Sequence, residues 1–330
     1  MPDAPMPAPP QPESRNPRVA RPEGGGDSTV TVIVAFLANA LIAGAKTVAA
    51  TVTGSASMLA EAVHSWADTG NEVFLLVADR RSRRPADTQH PLGFGREAYV
   101  WSLFAAIGLF AVGAGVSITH GIQELVHPQP ADDFVVAYAV LALAFVLEGV
   151  SFLRARRQAR AEAQAADRDT LHHVLVTSDP TLRAVFAEDA AALIGLVVAF
   201  GGVLAHQPTG SPVPAAVGSI VVGLVLAVVS VVLIDRNRRF LVGEAAMPAT
   251  RAAVLAGIRD LPEVERVTYL RLEYVGPRAL YLVASVDLRG DESETSVARR
   301  LDELERRVTS VPLIAGAVFT VSAPEEPSIV

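Results

Sequence analysis

Residues 57–96 read SMLAEAVHSWADTGNEVFLLVADRRSRRPADTQHPLGFGR. The first part is an apolar helix long enough to cross a bilayer, and it carries His64 and Asp68 one helical turn apart, ahead of an Arg-rich turn. Ionisable side chains are costly to bury in hydrocarbon, so a pair on one face of a membrane helix indicates a functional site. Side chains at positions i and i+4 can also bind the same ion. The stretch therefore predicts a membrane helix that carries a cation site.

The composition of the whole chain agrees with this interpretation. Of 330 residues, 51% are hydrophobic and only 19% are charged, and the mean hydropathy is +0.36. These values are typical of an integral membrane protein. The net charge of −7 indicates no nucleic-acid partner. Cysteine is absent, which excludes disulfides and thiolate metal sites and leaves His, Asp and Glu as metal ligands.

Six apolar stretches have close to the ~20 residues that a helix needs to span a bilayer. They are Ser28 to Val52, Ser57 to Asp79, Ala98 to Ile118, Phe134 to Leu153, Thr181 to Leu204, and Val213 to Ile234. Arginines cluster in residues 15–21, 80–96, 154–168 and 236–239, whereas the alternate connections 53–56, 120–133 and 205–212 contain no Lys or Arg. By the positive-inside rule, both termini are predicted to be cytoplasmic. We expect a multi-pass protein of the cell (inner) membrane.

The remaining residues predict one soluble domain and two tails. Residues 1–27 are rich in Pro, Gly, Ala and charged residues, which predicts a disordered tail before the transmembrane domain of residues 28–240. From residue 241 short alternating runs begin, and they predict a helix, two strands, a helix and a strand up to residue 322. This order suggests a small α+β sandwich. Residues 323–330 are predicted to be a frayed tail.

The second helix carries a polar stripe rather than one polar side chain. Glu61 and Asn71 share the face of His64 and Asp68. Such a stripe can hold helices together through hydrogen bonds. We favour a metal site, because residues that join helices in this way are usually Ser, Thr or Asn and not an ionisable pair.

The fifth apolar stretch supplies candidate partners, Glu188 and Asp189. With ~1.5 Å rise per residue, Asp68 and Asp189 both lie about 13 to 16 Å from their helix starts, near the midplane of a ~30 Å core. Adjacent helical residues differ by ~100° in direction, so both cannot point at one centre. We expect Asp189 to be a ligand and Glu188 to be a ligand or a proton carrier. Glu61 and Asn71, and Glu148 of the fourth stretch, are candidates for a proton path or for orienting the ligands, and Glu148 is equally consistent with helix pairing or with snorkelling toward the cytoplasmic interface.

Several segments resemble one known family. TGSASMLAEAVHSWADTGNEVFLL, RRPADTQHPLGFGRE, SDPTLRAVFAEDAAALIG and LVGEAAMP are similar to segments of the cation diffusion facilitators, which are metal/proton antiporters, and most of all to the branch of zinc-transporter-nine-like members. The resemblance covers about Val30 to Ser322. It implies six membrane helices, a cytoplasmic ferredoxin-like domain and a homodimer. It maps the family's central site onto His64, Asp68 and Asp189.

The chain departs from the family at two positions. Val185 stands where the family usually has a second ligand four residues before Asp189, so Glu188 is a candidate replacement. Phe94 stands where many members have a second loop histidine, which leaves Asp87 and His90 as an incomplete loop site.

The function that we predict is export of a divalent metal cation from the cytoplasm in exchange for protons. No cofactor is implied, and Zn²⁺ is the favoured substrate because imidazole and carboxylate ligands suit it, although such a site also accepts Mn, Fe or Co. An intramembrane metalloenzyme is the competing class, but the chain contains no HExxH motif. A passive cation channel is the third alternative.

A second histidine-containing group lies at the opposite end of the third stretch. His120, Glu124 and His127 recur at helical spacing there. They are consistent with a transient site for the exported ion or with a solvated cap of the helix.

Overall fold

The computed structural model describes residues 36–37, 39–48, 51, 56–128 and 134–329, with the side chains of residues 56–61, 64 and 136 outside the description. The predicted N-terminal tail lies outside the described residues, as does much of the first apolar stretch. Within that stretch, residues 39–48 are helical (α1).

Six further helices follow α1 before the soluble part. They are α2 (Ala56–Ser82), α3 (Glu97–Val126), α4 (Phe134–Ala165), the short α5 (Thr170–Val176), α6 (Pro180–Thr209) and α7 (Val213–Val242). Asp179 caps the start of α6 by accepting hydrogen bonds from the backbone amides of Thr181 and Leu182, and Pro180 takes the first turn, where its missing N–H costs nothing. α6 and α7 each end at a glycine with positive φ, Gly210 and Gly243.

Four helices of the described part are long and apolar enough to cross a membrane. Their spans are Glu97–Val126, Ala137–Ala165, Pro180–Thr209 and Val213–Val242. α2 has 27 residues, but its polar stripe and terminal arginines make it less apolar than these four. The protein is therefore a multi-pass membrane protein with four clear spans, and the two further spans expected from the sequence remain a prediction.

α7 packs against both α3 and α6. Its buried residues include Gly223 and Leu226, and the latter packs with Leu109 and Ala114 of α3. A Cβ atom on Gly223 would lie 3.0 Å from the Ala114 carbonyl oxygen. Small residues permit this close backbone approach, which is a usual way to join helices in lipid. α3 makes a π-helical turn at Leu109–Ala114, at the same contact.

The C-terminal part has the predicted order of elements. α8 (Pro248–Arg259) precedes β1 (Val264–Gly276) and β2 (Ala279–Leu288), and α9 (Glu294–Thr309) connects β2 to β3 (Ile314–Val321). The sheet order is β1-β2-β3, with β1 antiparallel and β3 parallel to β2. Alternate residues of β2 are buried, and they form the core of this part together with side chains such as Ile258 of α8 and Leu304 of α9.

The sheet contacts the helical bundle directly where α3 begins. Gly95 lies so close to the β1–β2 turn that a Cβ atom on it would be 2.5 Å from the Val275 carbonyl oxygen. Arg96 donates a hydrogen bond to Glu273 on β1, with an N–O distance of 2.6 Å. The ring of Tyr99 stacks on Phe240 of α7 with centroids 4.9 Å apart, and Phe240 packs edge-on against Tyr274 of β1. The start of α3 is thereby attached to the sheet by backbone contact, charge and aromatic packing.

Candidate metal and proton site

Ser65 and Glu72, beside the polar stripe of α2, contact α1, and Asn71 of the stripe contacts α6. Lys46 of α1 is 5% exposed and donates a hydrogen bond of 2.8 Å to Ser65 Oγ. Asn39 Nδ2 of α1 donates to Glu72 Oε1 at 2.7 Å. Trp66 is 51% exposed and points away from the stripe, as expected from the helical spacing. These contacts bury the polar face of α2 between helices.

Five carboxylates from three helices interact with one another electrostatically. Asp68 and Glu72 come from α2, Glu148 comes from α4, and Glu188 and Asp189 come from α6. So many carboxylates in apolar helices repel each other unless protons or cations neutralise them. The structure thus brings together the α2 and α6 acids that the sequence placed at one depth.

Glu188 and Asp189 each accept a hydrogen bond from a different helix. Asn71 Nδ2 of α2 donates to Glu188 Oε2, and Ser151 Oγ of α4 donates to Asp189 Oδ2 at 2.8 Å. The two adjacent carboxylates therefore point in different directions, as the ~100° step between neighbouring helical residues requires. Each has one oxygen held by a neutral donor, which leaves its other oxygen for a proton or a cation.

Three oxygen atoms in this region are buried without a hydrogen-bond partner among the described residues. They are Asn71 Oδ1, Glu72 Oε2 and Glu188 Oε1. Most buried polar atoms in proteins have partners, so an unpaired group calls for a specific reason, such as a bound ion or water. All three atoms are acceptors, and an acceptor is satisfied by a metal cation or by a proton.

The structure describes the side chains of some predicted ligands and not those of others. Asp68, Glu188 and Asp189 lie in the same region, and Glu148 lies close enough to interact with the two aspartates. His64 lies on the same face of α2, but its side chain is outside the description, and so is that of Glu61. Among the described side chains, no three of His, Asp or Glu surround a common point as metal ligands would.

Sequence reasoning missed two residues of this region. His64, Asp68 and Glu72 follow one another at intervals of four residues. This regular i+4 spacing is the signal that points to Glu72. Ser151 of α4 carries no such signal, because a serine in an apolar helix is common and its contact with Asp189 depends on how α4 and α6 pack.

The loop pair Asp87 and His90 is brought together between α2 and α3. Asp87 Oδ1 accepts hydrogen bonds from the backbone amides of Gln89 and His90 and lies 3.1 Å from His90 Nδ1. The backbone hydrogen bond from His90 is the main cause that lowers the pKa of Asp87. The His90 ring also packs on Phe94, with centroids 4.1 Å apart. Both side chains of the pair are about half exposed.

Comparison with family models gives one match, to the cation efflux transmembrane domain, over residues 32–242. The chain belongs to the cation efflux family. This match confirms the resemblance read from the sequence motifs. The family is one of transporters, which supports the interpretation that the chain is not an enzyme.

Curated relatives from distant organisms are similar to most of the chain. The proton-coupled zinc antiporter SLC30A9, mitochondrial, of Xenopus laevis is 36% identical over 78% of this chain and 46% of its own length. The metal tolerance protein C4 of Arabidopsis thaliana is 35% identical over 71% of this chain and 51% of its own length. A probable cation efflux system protein of Mycobacterium tuberculosis is 26% identical over 88% of this chain and 82% of its own length. The chain thus spans about half the length of the first two relatives.

Proposed function

We propose that this cation efflux protein is a secondary transporter that exports a divalent metal cation, with zinc favoured, from the cytoplasm in exchange for protons. The observation that carries the proposal is the group of carboxylates on α2, α4 and α6, buried in apolar helices with unpaired acceptor oxygens. A group of this kind needs positive charge. Lys46 supplies one buried positive charge that acts on Glu148, which is too little for five carboxylates. The remaining positive charge comes from a metal cation or from protons. The relatives are named as a proton-coupled zinc antiporter and a metal tolerance protein, and these names agree with a metal cation and with protons as the bound charges.

The exchange follows from competition between the two kinds of positive charge. Carboxylate and imidazole ligands bind a metal only when they are deprotonated, so metal binding releases protons and protonation releases the metal. A site near the bilayer midplane that opens alternately to the two sides then couples the metal gradient to the proton gradient. Binding from the cytoplasm and protonation from the other side give net export.

The proposed ligands are His64, Asp68 and Asp189, with Glu188 as a fourth. Glu188 is supported by its unpaired Oε1 atom, since Asn71 holds only the other oxygen. We assign Asn71 to holding Glu188 and propose Glu61 and Glu148 for the proton path. Imidazole and carboxylates suit zinc, and a site with several carboxylates also accepts Mn, Fe or Co.

The loop pair Asp87 and His90 is proposed as an accessory metal site on the cytoplasmic side. Asp87 is kept ionised by backbone amides, so it is available to a cation without a change of protonation. The ring atom His90 Nε2 is the second donor, because Nδ1 faces Asp87.

We propose further features of the architecture beyond the four clear spans. We propose six spans in residues 28–240, both termini in the cytoplasm of a cell (inner) membrane, and a ferredoxin-like cytoplasmic domain in residues 241–322. The αββαβ order and the mixed sheet agree with the last assignment. We also propose a homodimer. One of the relatives is named as mitochondrial.

The test of the proposal is loss of transport when single ligand charges are removed. In Asp68→Asn and Asp189→Asn, metal uptake into sealed vesicles should fall at least ~100-fold, because each variant loses an anionic ligand. Asp79→Asn is the matched control, since Asp79 pairs with Arg83 at the exposed end of α2. Parental transport rates in either ligand variant would contradict the proposed site.

A further inference from the structure

A second group of titratable side chains lies at the far ends of α3 and α6. His120 and Glu124 are one turn apart on α3, and His206 lies in the last turn of α6. Tyr99, at the start of α3, packs on the Phe240 ring, which contacts the sheet. Glu124 is 25 residues further along α3, roughly 38 Å at ~1.5 Å per residue. The group therefore lies at the end of the bundle away from the C-terminal sheet.

His120, Glu124 and His206 are largely buried, so these three do not form a solvated cap, whereas His127 is exposed. Glu124 is 9% exposed and His206 is 7% exposed, while the His120 side chain is 15% exposed. Glu124 Oε2 lies 3.8 Å from His120 Nδ1, too far for a hydrogen bond. Both atoms are buried without a hydrogen-bond partner in the described part of the chain.

His206 completes the surroundings of Glu124. It lies close enough to interact electrostatically with Glu124, as His120 does. Its ring packs edge-on against Phe134 of α4, with centroids 5.5 Å apart, which fixes its orientation from the side of α4. A buried carboxylate is thus flanked by two imidazoles on neighbouring helices.

The other packed elements supply few competing charges. Residues 213–234 of α7, which pack against this part of α3, contain no titratable side chain. α2 also contacts this part of α3, and its outer turns carry Glu61, whose side chain lies outside the description. His127, three residues beyond Glu124, is exposed. Among the described residues, the titratable groups that face Glu124 are therefore His120 and His206.

We propose that His120, Glu124 and His206 form a proton-binding site at the end of the bundle away from the sheet, through which protons enter the transporter. The inference rests on the proposed exchange of metal for protons. Imidazole is the side chain that titrates near neutral pH, and a buried carboxylate between two imidazoles holds a proton within the group. A proton needs only the two facing, unpaired atoms His120 Nδ1 and Glu124 Oε2, which lie 3.8 Å apart.

The site offers a simple route for the proton. His120 is the most exposed of the three, so it takes a proton from water, and Glu124 accepts it when the unpaired Nδ1 and Oε2 atoms close their 3.8 Å separation. From Glu124 the proton continues toward His206 on α6, the helix that also carries Glu188 and Asp189. Only the proton moves, and no other bond forms or breaks.

The test compares how proton flux depends on pH in sealed vesicles. The pH inside and the pH outside are varied separately between about 5.5 and about 8, the range in which imidazole titrates. Zinc-driven proton flux is measured for Glu124→Gln, His206→Gln and His120→Gln. His127→Gln is the matched control, because His127 is an exposed histidine at the same end. Zinc affinity of each purified protein is measured in parallel.

The pH at which zinc-driven proton flux is half-maximal should shift by about one unit in each of the three variants, and only when the pH of one of the two compartments is varied. Each variant loses a side chain that influences the proton affinity of the rest of the site. Zinc affinity should stay at the parental value, and His127→Gln should behave as the parent. Unchanged pH profiles of proton flux in all variants that fold would overturn the inference. His120→Gln is the substitution expected to damage folding least, because His120 is partly exposed. If the parental protein itself shows no zinc-driven proton flux, the proposed function fails instead.

Discussion

Ser151 on α4 donates a hydrogen bond of 2.8 Å to Asp189 on α6. A neutral donor that holds one carboxylate oxygen fixes the direction of the other oxygen, and this orientation is part of what a metal ligand needs. The contact also links α4 to the acidic group between α2 and α6.

Ser151→Ala should therefore weaken zinc binding by about 10-fold to 100-fold, the usual cost of losing a group that orients a ligand. Isothermal titration of the purified protein measures it. The control is Ser230→Ala, because Ser230 is a buried serine whose hydroxyl donates, within the described part of the chain, to the Leu226 carbonyl of its own helix α7. Equal affinities in the two variants would contradict the orienting role.

Glu188→Gln separates two roles for the residue that replaces the usual ligand at Val185. As a ligand, Glu188 should lose most of its donor strength in this variant, and zinc affinity should fall strongly. As a proton carrier, it should leave zinc affinity near the parental value while changing the pH dependence of flux. We expect the first result, because Glu188 Oε1 has no partner among the described residues. Both quantities measured on one preparation decide between the roles, and no change in either would remove Glu188 from the site.

Gly223→Ala should destabilise the bundle by about 1 to 3 kcal/mol, because the added methyl group overpacks the α3–α7 contact. The new Cβ atom would meet the Ala114 carbonyl oxygen at 3.0 Å. Gly201→Ala is the matched control on α6, where a Cβ atom meets nothing within 4 Å. Thermal unfolding in detergent compares the two, and similar losses in both variants would show that the close approach contributes nothing.

The ion pair between Arg96 and Glu273 should couple the bundle to the sheet weakly. The two side chains are 40% and 24% exposed, and pairs of this exposure contribute about 0 to 1 kcal/mol. Glu273 also accepts a hydrogen bond from Arg271, so the pair is tested by a double-mutant cycle in which Arg96→Ala with Glu273→Ala should lose less unfolding temperature than the sum of the two single variants. A double variant that loses the sum of the two single effects would show that the residues do not interact.

The sequence supports a prediction of the site because its signals are local. His64 and Asp68 are one turn apart, and depth along two oppositely directed helices places Asp68 level with Asp189. In the structure Asp68 and Asp189 lie close enough to interact, and their role as metal ligands stays a prediction. Ser151 was not predictable, since its contact depends on the packing of α4 on α6.

The ends of the helices were harder to predict than their existence. The third apolar stretch was expected to end at Ile118, but α3 continues to Val126. His120 and Glu124 interrupt the apolar run there, yet the helix continues past them, packs on α7 and leaves both side chains largely buried. Hydropathy alone cannot distinguish a polar group that ends a span from one that the bundle encloses.

The most direct measurement of the central claim is proton movement driven by zinc in sealed vesicles that contain the purified protein and a pH-sensitive dye. A zinc gradient should drive protons in the opposite direction, and an imposed pH gradient should drive zinc uphill. Asp68→Asn should abolish both movements, while Asp79→Asn should keep them. Zinc movement that neither moves protons nor responds to a pH gradient would contradict the exchange and indicate a passive channel.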